Sequence, residues 1–267
     1  MCVYFQYTAA AYYKSLKQEE RLCFSESMIL DLVLHERRHQ PRLGGKKLYY
    51  MLRCRIHEIN PHFGRDKFFD LLRNHGLLVE RKRQYRKTTN SWHHFHKYNN
   101  KIKELNIFRP NQVWASDITY LRIERGFVYL SLLTDMYSRK IVGWFLSQSL
   151  SIEGSAYALK KALKQNPVQA ALIHHSDRGV QYCSHDYVKI LKKNKIEISM
   201  TEENHCYENA MAERINGILK DEYLLDITFK DFAHAEKACA EAVSLYNTRR
   251  PHWALNLKTP EQVHRVA

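Results

Sequence analysis

Three acidic residues could do chemistry together. Asp117 lies in VWASDITYL, Asp177 in HHSDRGVQY and Glu213 in CYENAMAERINGILKDEY. Asp177 follows Asp117 by 60 positions, and 35 residues lie between Asp177 and Glu213. Two of the acids sit in or directly after strand-like runs, and the third sits one turn into a helical pattern. Carboxylates are hard oxygen ligands suited to Mg²⁺ or Mn²⁺. Anionic groups brought close repel, and a cation relieves that repulsion. Two such ions ~3.5–4 Å apart can activate an attacking hydroxyl and stabilise the leaving oxygen of a phosphodiester. In-line transfer tolerates little misplacement, so acids carried on strands and a helix suit the task. Singly, each acid also reads as ordinary: Asp117 as a strand or turn residue, Asp177 as a turn acid before Arg178–Gly179, Glu213 as a surface residue beside Arg214. Jointly they read as a two-metal site. Asp135, beside Ser138 and Arg139, reads as a structural turn acid.

Lys220 lies two helical turns after Glu213 and therefore shares its face. It could reach a DNA phosphate beside the carboxylates. Asn209 and Asn216, about one turn either side of Glu213, could line the same groove, and simple surface solvation is the alternative for all three.

The elements that must position these residues follow from periodicity. Gln112–Ile123, Phe127–Thr134 and Lys140–Gln148 read as an antiparallel meander. An amphipathic helix over Ile152–Gln165, a fourth strand over Ala170–His174, a helix over Ser184–Asn194 and a fifth strand over Ile196–Met200 follow. The Glu213 helix and a last helix over Asp231–Tyr246 complete a βββαβαβα order, the pattern of an α/β layer fold with a mixed sheet.

The front of the chain differs. Residues 1–110 hold 22 Lys/Arg and 10 Asp/Glu, a net of +12, and the remaining 20 and 18 leave only +2. A total of +14 suits a polyanionic partner, nucleic acid before an anionic membrane surface. Residues 1–24 read as a helical arm with Thr8 capping a helix from Ala9. Residues 25–80 read as three short helices, Ser27–His35, Lys46–His57 and Arg65–His75, in the manner of a helix-turn-helix. Arg65, Lys67 and Arg73 would then face DNA, whereas a plain three-helix bundle is the alternative. Residues 81–111 read as a basic linker. Arg81, Lys82 and Arg83 begin a run with five basic residues in seven positions, as expected of a segment that follows phosphates. Residues 112–267 form the catalytic core. The six scattered cysteines form no CxxC pair, which excludes a disulfide framework and points to a reducing cytoplasm. No stretch reaches the ~18 apolar residues of a membrane span.

WASDITYL, HHSDRGVQYCS, the CYENAMAERINGILKDE helix and YNTRRPHWAL resemble the integrase-core transposases of bacterial insertion sequences. More narrowly, they resemble the OrfB-type product of elements whose two reading frames join by frameshifting. The 35-residue gap matches the family's Asp-Asp-(35)-Glu signature, shared with retroviral integrases. The resemblance implies a ribonuclease H-like core with a mixed five-stranded sheet, preceded by an all-α helix-turn-helix-like domain. It implies Mg²⁺- or Mn²⁺-dependent cleavage at transposon ends with two ions per site, then strand transfer by the freed 3′-hydroxyl. Asp117, Asp177 and Glu213 match the catalytic positions, and Lys220 matches the DNA-contacting lysine. A homo-oligomer on DNA and a partnership with the upstream-frame product are the implied assemblies. Glu208 stands where many relatives carry Asp, and Arg214-Ile215 where many carry an aromatic pair, so end preference is open. Two other functions compete: a DNA-binding regulator that no longer cuts, and an RNA–DNA hybrid nuclease. The three acids argue against the first, and the basic front half with Lys220 argues against the second.

Overall fold

Runs of apolar residues with period two build the centre of the molecule. In the computed structural model, which describes residues 8–80, 94–166, 171–202 and 210–265, the chain divides into two units, Met1–Lys82 and Arg83–Ala267. In the second unit β1 (Val113–Ile123), β2 (Gly126–Asp135) and β3 (Ile141–Ser147) form the antiparallel meander. Helix α4 (Ile152–Gln165) then crosses to β4 (Ile173–Ser176), which lies parallel to β1. Two short helices, α5 (Val180–Cys183) and α6 (His185–Lys193), lead to β5 (Glu197–Met200), parallel to β4. Helix α7 (Ala210–Glu222), a two-residue strand β6 (Thr228–Phe229), α8 (Phe232–Thr248) and α9 (Pro260–Arg265) complete the unit.

The sheet order is β3-β2-β1-β4-β5, with β6 pairing in parallel with the far end of β1. Among the described residues the mixed sheet therefore has the five expected strands in one path, with the short β6 as a sixth beside β1. Two residues carry no periodicity, so β6 leaves no local mark in the sequence. The fourth strand also lies further along than its apolar run suggested. Its last three residues are His174, His175 and Ser176, all buried. One ring nitrogen of each histidine has a partner: Tyr187 Oη lies 2.9 Å from His174 Nε2, and His175 Nδ1 lies 2.9 Å from Ser199 Oγ. Burial beside His175 pushes His174 down to about 3, so it stays neutral in ordinary buffers.

Each sheet face carries a core. On one, Leu121, Val128, Leu130 and Leu132 pack against Ile215, Leu219, Ala242 and Tyr246 of α7 and α8. On the other, Trp114, Leu133 and Val142 pack against α4 and α6 through Ala158, Leu159, Tyr187 and Leu191. Gly143 lets α4 approach β3 closely. A Cβ there would lie 2.5 Å from Ala158 O and 2.6 Å from Ala162 Cβ. Phe95 and Tyr98 pack on the second core, and Lys101 N donates to Ser199 Oγ at 2.9 Å. Residues 94–111 thus lie on the second unit instead of running free as a linker, because their aromatic side chains have a core to join.

The first unit is helical. Helix α1 (Ala9–His39) is a single helix that passes the expected boundary at residue 24 without a break, with the Thr8 side chain accepting from Ala11 N at its start. Helices α2 (Gly45–Ile59) and α3 (Arg65–Asn74) pack on its second half through Leu48, Leu52, Ile56, Phe68 and Leu72 against Ile29 and Val33. Gly76 closes α3 in the left-handed conformation, with φ 64°. The Arg37 guanidinium donates to the carbonyls of Pro41, Leu43 and Leu77, tying the turn after α1 to the segment beyond α3.

Candidate active site

The strand register brings the two aspartates together. β1 and β4 pair from Val113↔Ile173 to Ser116↔Ser176, so Asp117 and Asp177 occupy the next position on each strand. β4 stops there. β1 next meets a neighbour on that side at Arg122, opposite Thr228 of β6. The interval leaves a notch beside β1 at the carboxyl end of β4, the side of a parallel pair where ligands bind. Helix α7 packs along β1 at this notch, with Ile215 and Leu219 in the core.

Each aspartate is held by specific bonds. Asp117 Oδ1 accepts from Ile118 N at 2.9 Å, and its Oδ2 accepts from Asn216 Nδ2 at 2.6 Å. Asp177 Oδ1 accepts from Gly179 N at 3.0 Å, forming a short turn after β4. A Cβ at position 179 would lie 2.9 Å from Asp177 Oδ1, so any other residue there would displace that carboxylate. Glu213 falls in the first turn of α7 and is exposed.

The electrostatics link all three acids. Burial, the charge of Asp177 and, after two opposing hydrogen bonds, that of Glu213 push the Asp117 carboxyl up to about 7. Burial also raises Tyr182 well above its ordinary value, with Tyr187, Asp117 and Asp177 adding to it. Lys220 is lowered by burial, against the pull of Asp117 and Asp226. Its ammonium sits 4.4 Å from the centre of the Tyr120 ring, within cation–π range. Among the described residues, no group of three or more His, Cys, Asp or Glu side chains is gathered closely enough to hold a metal ion. The donor set still suits one, since it consists of carboxylate oxygens whose mutual repulsion a divalent cation would relieve.

The other sequence candidates divide. Asn216 is buried, and its Nδ2 donates to Asp117 Oδ2. The sequence spacing placed it near Glu213 but gave no sign of its partner. Asn209, Arg81, Lys82 and Arg83 lie outside the described residues. On α3, Arg65 pairs with Asp66 and Arg73 with Asp70, while Lys67 is exposed. Asp135 is fully buried and accepts from Asn111 N, Ser138 N and Ser138 Oγ at 2.6–2.7 Å, the work of a turn acid.

YNTRRPHWAL proves structural in its ordered contacts. Tyr246 Oη donates to Arg139 O, and Asn247 bonds both backbone groups of Ile141, covering the outer edge of β3. Arg250 donates to both carboxylate oxygens of Glu222 at 2.6 and 2.7 Å. That fork fastens the end of α7, and so the helix that carries Glu213.

Comparison with known proteins agrees with this architecture. Two family profiles, each described as an integrase core domain, match residues 108–206 and 194–260. A protein of insertion element IS600 from Shigella sonnei is 31% identical over 275 residues, covering 100% of this chain and 100% of its own length. The transposase for insertion sequence element IS904 from Lactococcus lactis subsp. lactis is 29% identical, covering 85% of this chain and 97% of its own. Among solved structures, the intasome of simian T-cell lymphotropic virus in complex with a PP2A regulatory subunit aligns with TM-score 0.53. It is 17% identical and covers 88% of this chain and 74% of that one, a likeness of fold. The sheet with helices on both faces is the ribonuclease H-like arrangement. With its profile matches and a relative aligned end to end, the chain belongs to the integrase-core transposases of bacterial insertion sequences, DNA-acting polynucleotidyl transferases.

Proposed function

We propose that Asp117, Asp177 and Glu213 are the catalytic acids of this transposase and together hold two Mg²⁺ or Mn²⁺ ions. The observation that carries the reading is the β1–β4 register, which sets Asp117 beside Asp177 at the end of a parallel strand pair. The rise of Asp117 under the charges of Asp177 and Glu213 supports it. When bound, the ions supply Lewis-acid activation of the attacking oxygen and neutralise charge on the scissile phosphate.

The chain's own residues do the rest. Asn216 and the Ile118 amide fix the Asp117 carboxylate, while the Gly179 amide fixes that of Asp177. Lys220, held against Tyr120, presents its ammonium to a DNA phosphate beside the acids. Water cuts at the transposon end, and the freed 3′-hydroxyl attacks a second phosphodiester. No covalent protein intermediate is required, so no Ser or Tyr nucleophile is invoked. The helical first unit grips the element ends, with Lys67 as an exposed contact and the basic run from Arg81 following the phosphates. Two ends call for a homo-oligomer on DNA, joined by the upstream-frame product, in the cytoplasm. Among the described residues no helix is long and apolar enough to cross a membrane.

The test uses purified protein, Mg²⁺ and labelled element-end DNA. Asp177→Asn should leave end binding intact and remove the 3′-hydroxyl product. Cleavage by that variant at the wild-type rate would sink the assignment.

A further inference from the structure

The β1–β2 hairpin carries an exposed face that the catalytic assignment does not use. Residues paired across an antiparallel ladder share a face. Tyr120 pairs with Tyr129 and Arg122 with Phe127, two positions on, so these four side chains lie together. Their alternates Leu121, Val128 and Leu130 point the other way into the core. The outward set stays open to solvent at its end: Tyr120 is 37% exposed, Phe127 48%, and Arg122 is exposed too. The Tyr120 and Phe127 rings meet edge to face with centres 5.4 Å apart. Lys220 lies over Tyr120 and feels the charge of Asp117, so it links this face to the acid carried on the opposite face of β1.

Large exposed rings on a sheet are costly to leave in water unless something covers them. Here they are interleaved with two cations. An apolar protein surface would leave both charges unanswered. A phosphate backbone with unstacked bases answers charges and rings at once, since every base offers a π-face and every nucleotide a phosphate.

We propose that Tyr120, Arg122, Phe127 and Tyr129, with Lys220, form a stacking platform for unpaired DNA, and that nucleotides frayed from the strand being cut or joined are held there. This rests on the reading of the neighbouring acids as a DNA-processing site. The platform supplies what the acids lack: it grips bases without regard to sequence, so a terminal base pair can open before chemistry.

The full chain, in EDTA so that nothing is cut, is titrated into fluorescein-labelled oligodeoxythymidine of about ten nucleotides, a length within the range one such surface holds. Phe127→Leu should lower affinity roughly tenfold, the scale of one lost base stack. Phe127→Trp should retain wild-type affinity, because it restores a ring where leucine restores only apolar bulk. Arg122→Ala should weaken binding and flatten its salt dependence. Circular dichroism of each variant establishes that the fold is kept. Equal affinity of Phe127→Leu and wild type would overturn the platform. So would a change of oligomeric state in Phe127→Leu with oligonucleotide affinity intact, which would make the face a contact between copies. Asp177→Asn separates the two readings: it should bind the oligonucleotide as wild type does in EDTA, whereas its Mg²⁺ cleavage reports only on the acids.

Discussion

Asp117 shows how much one side chain is governed by its neighbours. Its carboxyl is raised to about 7 by burial first and by Asp177 second, from an ordinary value of 3.8. Between those two pH values the unfolded chain has released the proton and the native state has kept it. The native state then binds more protons, so metal-free stability falls as pH rises through that window. Asp117→Asn should therefore raise the unfolding free energy more at pH 8 than at pH 4, the two effects differing by an amount on the order of 1–3 kcal/mol. Thermal unfolding in EDTA at the two pH values checks this, and an equal effect at both would show that Asp117 ionises normally. Asn216 makes a related point. Its type and spacing placed it near Glu213, yet only the fold revealed that its amide is used on Asp117.

At the scale of elements, the positions of α7 and α8 matter most. α7 lies where β4 has ended and β6 has not begun, and its far end is fastened through Glu222 to Arg250. Arg250 is almost wholly buried, so removing it leaves the mostly buried Glu222 carboxylate without its fork. Arg250→Met should cost about 3 kcal/mol. Adding Glu222→Leu should recover most of it, because paired apolar residues replace a buried ion pair at little loss. Chemical denaturation of the two variants tests this. A double variant no more stable than the single one would mean that the fork does more than hold two charges together. The YNTRRPHWAL motif was legible as a family mark, but its work as an edge cover and a helix clamp was not. Those bonds join residues over 100 positions apart in the case of Asn247 and Ile141.

At the scale of the molecule, the charge asymmetry and the two units call for separate tasks. We expect that removing residues 1–82 abolishes sequence-specific end binding and leaves the second unit folded, since among the described residues its two cores draw on Phe95 and later positions. Gel shifts with element-end DNA, alongside circular dichroism, check both halves of that statement. Undiminished end affinity in the truncated chain would move the grip to the catalytic unit.

What the sequence by itself determined was local in origin. Period-two apolar runs gave the β1–β3 meander, and helical period gave α4 and α8. Acid spacing within family motifs singled out Asp117, Asp177 and Glu213. The tertiary structure alone decided which side chains meet across the fold. It supplied β6, the shift of β4 onto a buried polar triplet, the Asn216–Asp117 bond, the Arg250–Glu222 fork and the packing of residues 94–111 on the core. The physical reason is range. Backbone periodicity is written within a few residues, whereas a hydrogen bond or an open sheet face depends on chain segments brought together only by folding.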